Sequence, residues 1–150
     1  MTDKTLQLLL ASDHPSACEA PPGFDYVDAM RRVKALVPAL ERIVGHELAV
    51  DESVQDASYF TDVVCYRDTV AEHLGAVRVP LIRIVFSSFG DLFTVVFAEE
   101  LDQATVADTI SAAANAGFAF VPADKLDEPY TGDNPHLKGT TWFTRFFCYL

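Results

Sequence analysis

Two arginines stand in apolar surroundings and are the residues of this sequence best placed to do chemistry. Arg83 lies in the run at 79–86 and Arg145 in the run at 140–150, and both runs are rich in aromatic and aliphatic residues. A guanidinium in such a strand must reach an edge or pair with a carboxylate, because a buried charge without a partner costs several kcal/mol. We expect internal ion pairs, with an anion-binding pair of arginines as the alternative. The candidate carboxylate partners are Asp56, Asp62 and Asp127.

The histidines show no spacing that is typical of a metal or catalytic site. No two of the four lie at positions i and i+4, and the HExxH and CxxC patterns are absent. The GxSxG, P-loop and GxGxxG patterns are absent too, so the usual signatures of hydrolases, NTPases and dinucleotide enzymes are missing. The sequence therefore predicts a protein that is not an enzyme and that has no metal site and no cofactor.

Acidic residues gather in two segments that also carry aromatic side chains. Neither segment has the spacing of a calcium-binding loop. Solvated loops explain such clusters, and the alternative is a negative surface that attracts a basic partner and docks it through aromatic anchors. The first cluster is Asp51, Glu52, Asp56 and Asp62, and the second is Asp124, Asp127, Glu128 and Asp133. The predicted partner-binding residues are Asp56, Tyr59, Asp62, Phe89, Asp124, Asp127, Glu128, Tyr130 and Asp133.

The composition excludes several classes of function. Eleven Lys and Arg against 22 Asp and Glu give a net charge of −11, which argues against a nucleic-acid binder. A hydrophobic content of 50% is too high for a disordered acidic tail, and 150 residues suit one domain. Three cysteines do not form a disulfide framework, and Cys65 and Cys148 are expected to be buried thiols. The sequence shows neither an export signal nor a run of 18 apolar residues, so we expect a cytoplasmic protein without a membrane span.

The elements that position these residues can be read from local patterns. Asp25 is a candidate N-cap for a helix that ends at Gly45 and that Pro38 should kink or split. Its inner face is expected to hold Val27, Met30, Val33, Val37, Leu40 and Val44. A second helix is predicted over 103–115, with Asp102 as its cap and Val106, Ile110, Ala113 and Ala114 as its inner face.

The remaining segments favour strands. Residues 79–86 and 92–97 form a predicted hairpin of central strands covered on both sides, with Gly90 in the turn. Further strands are expected at 5–11, 59–66, 118–121 and 140–150, and one turn of helix is expected at 68–74. Residues 123–139 are expected to form a polar loop. The order predicts a single α+β domain over 1–150, with 1–24 partly irregular and a largely antiparallel sheet packed against two main helices.

Four segments together resemble a class of small bacterial proteins. They are QDASYFTD at 55–62, IRIVFSSFGDLFT at 82–94, LDEPYTG at 126–132 and TWFTRFFCYL at 141–150. The chain is similar in these segments to small acidic cytoplasmic immunity proteins of polymorphic-toxin systems. The resemblance spans about the last two-thirds of the chain and brings no catalytic residues with it. It implies a dedicated inhibitor that covers or distorts the active site of a cognate toxin domain.

The leading hypothesis is an immunity-type inhibitor that docks its acidic surface on a toxin or effector protein. A secretion-type chaperone, which would be dimeric and would hold an effector segment along a sheet edge or apolar groove, is the second interpretation. The third is a small-molecule enzyme or sensor in which Arg83 and Arg145 bind a carboxylate or phosphate. The sequence leaves the identity of the toxin and the oligomeric state open.

Overall fold

A computed structural model describes residues 3–52 and 59–148 of the chain. Within them the chain forms five α-helices, a short 3₁₀ helix at Pro135–Leu137 and a five-stranded sheet. The helices are α1 (Asp3–Ser12), α2 (Tyr26–Val44), α3 (Gln103–Asn115), α4 (Ala123–Leu126) and α5 (Trp142–Phe147). The strands are β1 (Ala49–Val50), β2 (Thr61–Ala71), β3 (Gly75–Phe86), β4 (Leu92–Val96) and β5 (Ala119–Phe120).

The sheet has the order β1-β2-β3-β4-β5 and is largely antiparallel, as predicted. Strands β1 to β4 pair antiparallel in succession, and the two-residue β5 joins β4 in parallel. The predicted hairpin is confirmed as β3 and β4, and Gly90 in its turn has a φ of 61°. Gly can adopt this left-handed backbone without the steric cost that a Cβ brings.

Helices cover both faces of the sheet, as the apolar pattern of β3 and β4 predicts. Ile82 and Ile84 of β3 belong to a core that includes Leu40 of α2. Val85, which points the other way in the strand, belongs to a second core with Trp142 of α5. The predicted α+β single-domain fold is therefore confirmed, with one hydrophobic core on each side of the sheet.

The helix α2 follows its sequence signals closely. The Asp25 side chain accepts a hydrogen bond from the Asp28 backbone N–H at its start, and Gly45 ends it with a φ of 78°. Pro38 does not split the helix, which is continuous from Tyr26 to Val44. Pro38 and Lys34, whose carbonyl loses its partner there, both lie on the exposed side, where water can reach that carbonyl.

The sets of buried residues on α2 and α3 differ in part from the predicted inner faces. Val27 is exposed on α2, because the helical period places it on the same face as the exposed Lys34 and Pro38. Leu36, which is not in the predicted set, is buried. On α3 the predicted cap Asp102 is confirmed, but Ala114 is exposed and Thr109 is buried in its place. The Thr109 hydroxyl is satisfied inside the core by a hydrogen bond of 2.8 Å to the Thr105 carbonyl.

Three predictions of secondary structure are wrong. Residues 5–11 form part of helix α1, because leucine, glutamine and alanine favour helix and few β-branched residues oppose it. Residues 68–71 continue β2, and a tight turn closed at Gly75 leads into β3, so no helical turn forms there. Residues 13–24 form neither helix nor strand, in agreement with the partly irregular segment expected over 1–24.

The third wrong prediction concerns the C-terminal segment. Residues 142–147 form helix α5, which places Trp142, Arg145 and Phe146 on one side at helical spacing. The Thr141 side chain caps it by accepting a hydrogen bond from the Thr144 backbone N–H. Cys148, at the end of this helix, is exposed and not buried, whereas Cys65 is buried as expected.

One further connection, which follows β5, contains short helices. The strand predicted at 118–121 is confirmed as β5, and Pro122 follows it as the N-cap residue of α4, where the chain leaves the sheet. The segment 123–139, predicted as a loop, contains α4 and the 3₁₀ helix. No helix of residues 3–52 and 59–148 is long and apolar enough to cross a membrane.

Candidate functional site

Arg145 lies in a closed polar cluster inside the core. Its Nε donates to Asp13 Oδ1 at 2.6 Å, and its other nitrogens donate to the carbonyls of Cys18 at 3.1 Å and His14 at 3.2 Å. The guanidinium also stacks on the Phe89 ring, with its carbon 4.0 Å from the ring centroid. The internal ion pair predicted for Arg145 is confirmed, but its partner Asp13 is not among the carboxylates predicted for it.

The second oxygen of Asp13 is satisfied from the other side. Asp13 Oδ2 accepts a hydrogen bond from the Tyr130 hydroxyl, which in turn accepts one of 2.9 Å from the Asn134 backbone N–H. Burial, followed by this bond to Asp13, raises the pKa of Tyr130 to about 12. Gly132 packs so closely on Asp13 and Tyr130 that a Cβ at this position would collide with both. The cluster ties the segment after α1 to the C-terminal third of the chain.

Arg83 lies in a second, more open ion pair. Its guanidinium donates to Asp62 Oδ2 at 2.8 Å, and the side chains of Arg83 and Asp62 are 23% and 17% exposed. This confirms an internal pair between two of the residues singled out from the sequence. The other oxygen, Asp62 Oδ1, is buried without a hydrogen-bond partner among the described residues. Burial raises the pKa of Asp62, and the bond to Arg83 lowers it in part.

Arg83 also lines a cleft of about 820 Å³ beside strand β4. The walls of the cleft are largely apolar and come from both sides of the sheet. Val95, Leu101, Val106 and Ile110 form the wall on the α3 side, and Val96, Ala123 and Phe143 form the wall on the α5 side. The cleft thus straddles the edge of the sheet. Arg145 does not line it, and each arginine has its own carboxylate partner.

The edge of β4 is open where it borders this cleft. Strand β5 pairs only with Leu92 and Phe93, because Pro122 turns the chain away into α4. Alternate residues of β4 direct their backbone N–H and C=O groups towards β3. The hydrogen bond from the Ser87 N–H to the Leu92 carbonyl shows that these residues are Leu92, Thr94 and Val96. The N–H and C=O of Val95 therefore face away from β3, and no described residue forms a hydrogen bond with them.

Phe97, the residue after β4, has a strained and exposed conformation beside the cleft. Its φ is 57°, in the left-handed region that a bulky residue rarely adopts, and it is 50% exposed. Such strain is concentrated at functional sites in proteins. An aromatic side chain that gains little burial at a strained position is a second indication that the edge of β4 is a functional surface.

The second acidic cluster begins next to the cleft. Asp124 is on α4 directly after Ala123, which lines the cleft, and Asp124, Asp127 and Asp133 are exposed. Glu128 is half-buried. Lys125 lies among these residues, with its Nζ 3.4 Å from Asp124 and 3.8 Å from Glu128. The cluster keeps a net negative charge after this lysine is counted.

Two carboxylates of the first acidic cluster form ion pairs with cations of the protein itself. Asp62 is bonded to Arg83, and Glu52 pairs with Lys34 of α2. Asp51 is exposed and its N–H donates to the Asp62 carbonyl at 2.8 Å. Asp56 lies outside the described residues. Among the described residues, the two acidic segments thus differ in pairing: Asp62 and Glu52 of the first have cationic partners, whereas Asp127 and Asp133 of the second are exposed.

The three predicted aromatic anchors have structural roles. Phe89 is buried beneath Arg145, and Tyr130 is buried against Trp142 with 4.7 Å between the ring centroids. Neither side chain is at the surface in this structure, because each completes the core around the Asp13–Arg145 pair. Tyr59 is half-buried and packs on Phe24 and Tyr26 at 5.9 and 5.8 Å. Phe89 and Tyr130 are therefore not surface anchors as the sequence predicts, and Tyr59 is half-buried.

The described residues contain no cluster of three or more His, Cys, Asp or Glu that could hold a metal ion. The His14 side chain bonds within its own loop, where its Nδ1 accepts a hydrogen bond of 3.1 Å from the Ala17 N–H. His46, His73 and His136 are exposed. Burial raises the pKa of the Cys65 thiol, which disfavours its reactive thiolate form.

The cleft and Asp13 were missed from the sequence for different reasons. Asp13 is 132 positions from Arg145, so no local pattern joins them. The open edge had one signal, the Pro122 that follows a strand too short to cover β4. In the comparison with known proteins, no family model, curated protein or solved structure matches the chain.

Proposed function

We propose that this protein acts by binding another protein, as an immunity-type inhibitor of a cognate toxin domain in the cytoplasm. The observation that carries the proposal is an apolar cleft with an open strand edge, beside which α4 begins a segment with the exposed carboxylates of Asp124, Asp127 and Asp133. An apolar centre with a charged rim is the usual anatomy of a protein-binding surface. The resemblance of four segments to immunity proteins supplies the toxin as the partner.

The charge of the protein supports a basic partner. The net charge is −11. The positive charges of Arg83 and Arg145 are already paired with carboxylates of the protein itself. A negative surface speeds association with a positive one and discriminates against acidic partners. Many toxin domains that act on nucleic acids have a basic active-site cleft, and the acidic surface would cover such a cleft and exclude the substrate.

Charge reversal tests the proposal. The toxin domain encoded beside this gene is expressed with the parent protein or with a variant carrying Asp124→Lys, Asp127→Lys and Glu128→Lys. We expect the parent to restore growth and the variant to restore it poorly, with association slowed about tenfold or more. The matched control reverses Glu47, Glu72 and Asp108, which are exposed elsewhere.

Two results would contradict the proposal at different levels. If the variant protects cells as well as the parent, the second acidic cluster is not the docking surface. If the neighbouring gene encodes no domain that inhibits growth, or if the parent gives no protection, the immunity function itself is wrong.

The apolar cleft favours a second candidate function, the secretion-type chaperone. Such a protein holds an effector segment along a sheet edge or groove, and the cleft beside β4 has both features. Chaperones of this type are dimers, so size-exclusion chromatography with light scattering separates the candidates. A strict monomer favours the inhibitor, and a stable dimer favours the chaperone.

A further inference from the structure

We infer that the open edge of β4 binds an extended segment of the partner protein as an additional strand of the sheet. The segment would have an apolar centre and lysines or arginines at its ends. This inference rests on the proposed function only in that the partner is a protein. It adds where the partner binds and what chemistry the bound segment has.

Backbone geometry is the first support. Val95 directs its N–H and C=O into the cleft, on the side of β4 that β5 covers only at Leu92 and Phe93. Unpaired donors and acceptors at a strand edge are the template for strand addition, in which the backbone supplies affinity and side-chain pockets supply specificity. The vacant position continues the line of β5 past Pro122.

The walls of the cleft specify the centre of the segment. Side chains of a strand alternate between the two faces of its sheet. One face of an added strand would meet Leu101, Val106 and Ile110, and the other would meet Ala123 and Phe143. Both sets are apolar, so the segment needs apolar residues at successive positions where it crosses the cleft. Strand addition here buries these walls as well as the backbone edge.

The charges around the cleft specify the ends of the segment. Glu99 lines the cleft, and Asp102 and Asp124 adjoin lining residues at the start of α3 and α4. Among the described lining residues the cation is Arg83, which is already bonded to Asp62 at 2.8 Å. Asp124 has Lys125 beside it at 3.4 Å. Glu99 and Asp102 still leave the rim net negative, which favours basic residues at the ends of the segment and disfavours acidic ones.

A synthetic peptide tests the inference on the full chain. The probe has about eight residues, a usual strand length, with valine and isoleucine in the centre and lysines at both ends. Binding is measured by calorimetry and by amide chemical shifts. We expect binding with shift changes concentrated at Val95 and Phe97. Replacing the lysines with glutamates should weaken binding about tenfold or more, because the rim is acidic.

Two matched comparisons isolate the backbone contact. The same peptide N-methylated at alternate residues keeps its side chains and loses the N–H groups of one edge, so it should bind about tenfold more weakly or worse. In the protein, Val95→Pro removes the outward N–H without touching the bonds to β3, whereas Val95→Thr keeps it. Val95→Thr should bind more tightly than Val95→Pro. If Val95→Pro does not fold, the N-methylated peptide carries the same test.

The outcomes separate this inference from the proposed function. Absence of peptide binding, equal binding of the N-methylated peptide, equal binding of the glutamate peptide, or shifts away from β4 each overturn strand addition. Protection against the toxin is measured independently. A protein that protects cells but does not bind the peptide keeps the proposed function and loses the strand-addition mode.

Discussion

Arg145 and Arg83 lie in two regions that differ in how far they bury the guanidinium group and satisfy its hydrogen bonds. The Arg145 side chain is fully buried and is bonded to a carboxylate and two carbonyls, while an aromatic ring covers its face. Arg83 is bonded to Asp62, whose second oxygen is buried without a hydrogen bond from any residue that the structure describes, and its guanidinium borders an open cleft.

The difference separates the part of the molecule that holds the fold from the part that is available to a partner. A buried charge contributes to a single folded state when every donor is satisfied, as at Arg145. An incompletely satisfied pair beside an apolar cleft and an open strand edge contributes less to the fold. We interpret the region around Arg145 as structural and the region around Arg83 as the one that a partner completes.

The largest expected effect is that of removing Arg145. Arg145→Met leaves Asp13 buried without its cation and leaves two carbonyls unpaired, so we expect a loss of about 3–5 kcal/mol in the free energy of unfolding. Arg83→Met removes one partly solvated bond and should cost about 1 kcal/mol. Urea denaturation followed by circular dichroism compares the two variants. Equal losses would remove the distinction between the two regions.

A pH titration gives an effect of intermediate size. The pKa of Tyr130 is raised from 10.0 to about 12, so the folded protein retains this proton more strongly than the unfolded chain does. The resulting stability is fully present below pH 10 and is lost as the pH rises from 10 towards 12. We expect the unfolding free energy to fall in that window more steeply for the parent than for Tyr130→Phe.

Spectroscopy gives the matching control for that titration. The difference in tyrosinate absorbance between the parent and Tyr130→Phe reports the titration of this one side chain. A Tyr130 pKa near 10, the ordinary value, would contradict both the burial of this hydroxyl and its bond to Asp13.

The smallest expected effect is at Phe97, in the other region. Asparagine tolerates a positive φ, so Phe97→Asn relieves strain while it removes a half-exposed ring, and the unfolding free energy should change by less than about 0.5 kcal/mol. Phe97→Ala loses the same ring without that relief and should be about 1 kcal/mol less stable than Phe97→Asn. A loss above about 2 kcal/mol for Phe97→Asn would assign Phe97 to the structural region.

Local signals predicted the parts of this fold that local chemistry decides. The caps at Asp25 and Asp102, the ending of α2 at Gly45 and the β3–β4 hairpin all follow from neighbouring residues. The C-terminal segment was misread because aromatic residues favour strands, although Trp142, Arg145 and Phe146 are spaced as on one side of a helix. Tertiary packing against the second core outweighed that preference.

The sites were harder to predict than the elements, since they depend on residues that are distant in the chain. Asp62 was among the candidate partners of the arginines, and it pairs with Arg83, 21 positions away across neighbouring strands. Asp13 could not be assigned to Arg145 without knowing how α1 packs. The buried Phe89 and Tyr130 look like surface anchors in the sequence because acidic residues adjoin them, but burial depends on the whole fold.

Hydrogen exchange at β4 shows whether this edge is open in the free protein and is covered when a partner strand binds. In the free protein the Val95 amide should exchange much faster than the Thr94 and Val96 amides, which are bonded to β3. The lysine-ended peptide should slow Val95 specifically. A Val95 amide that is already as protected as its neighbours in the free protein, or that the peptide leaves unchanged, would contradict the account.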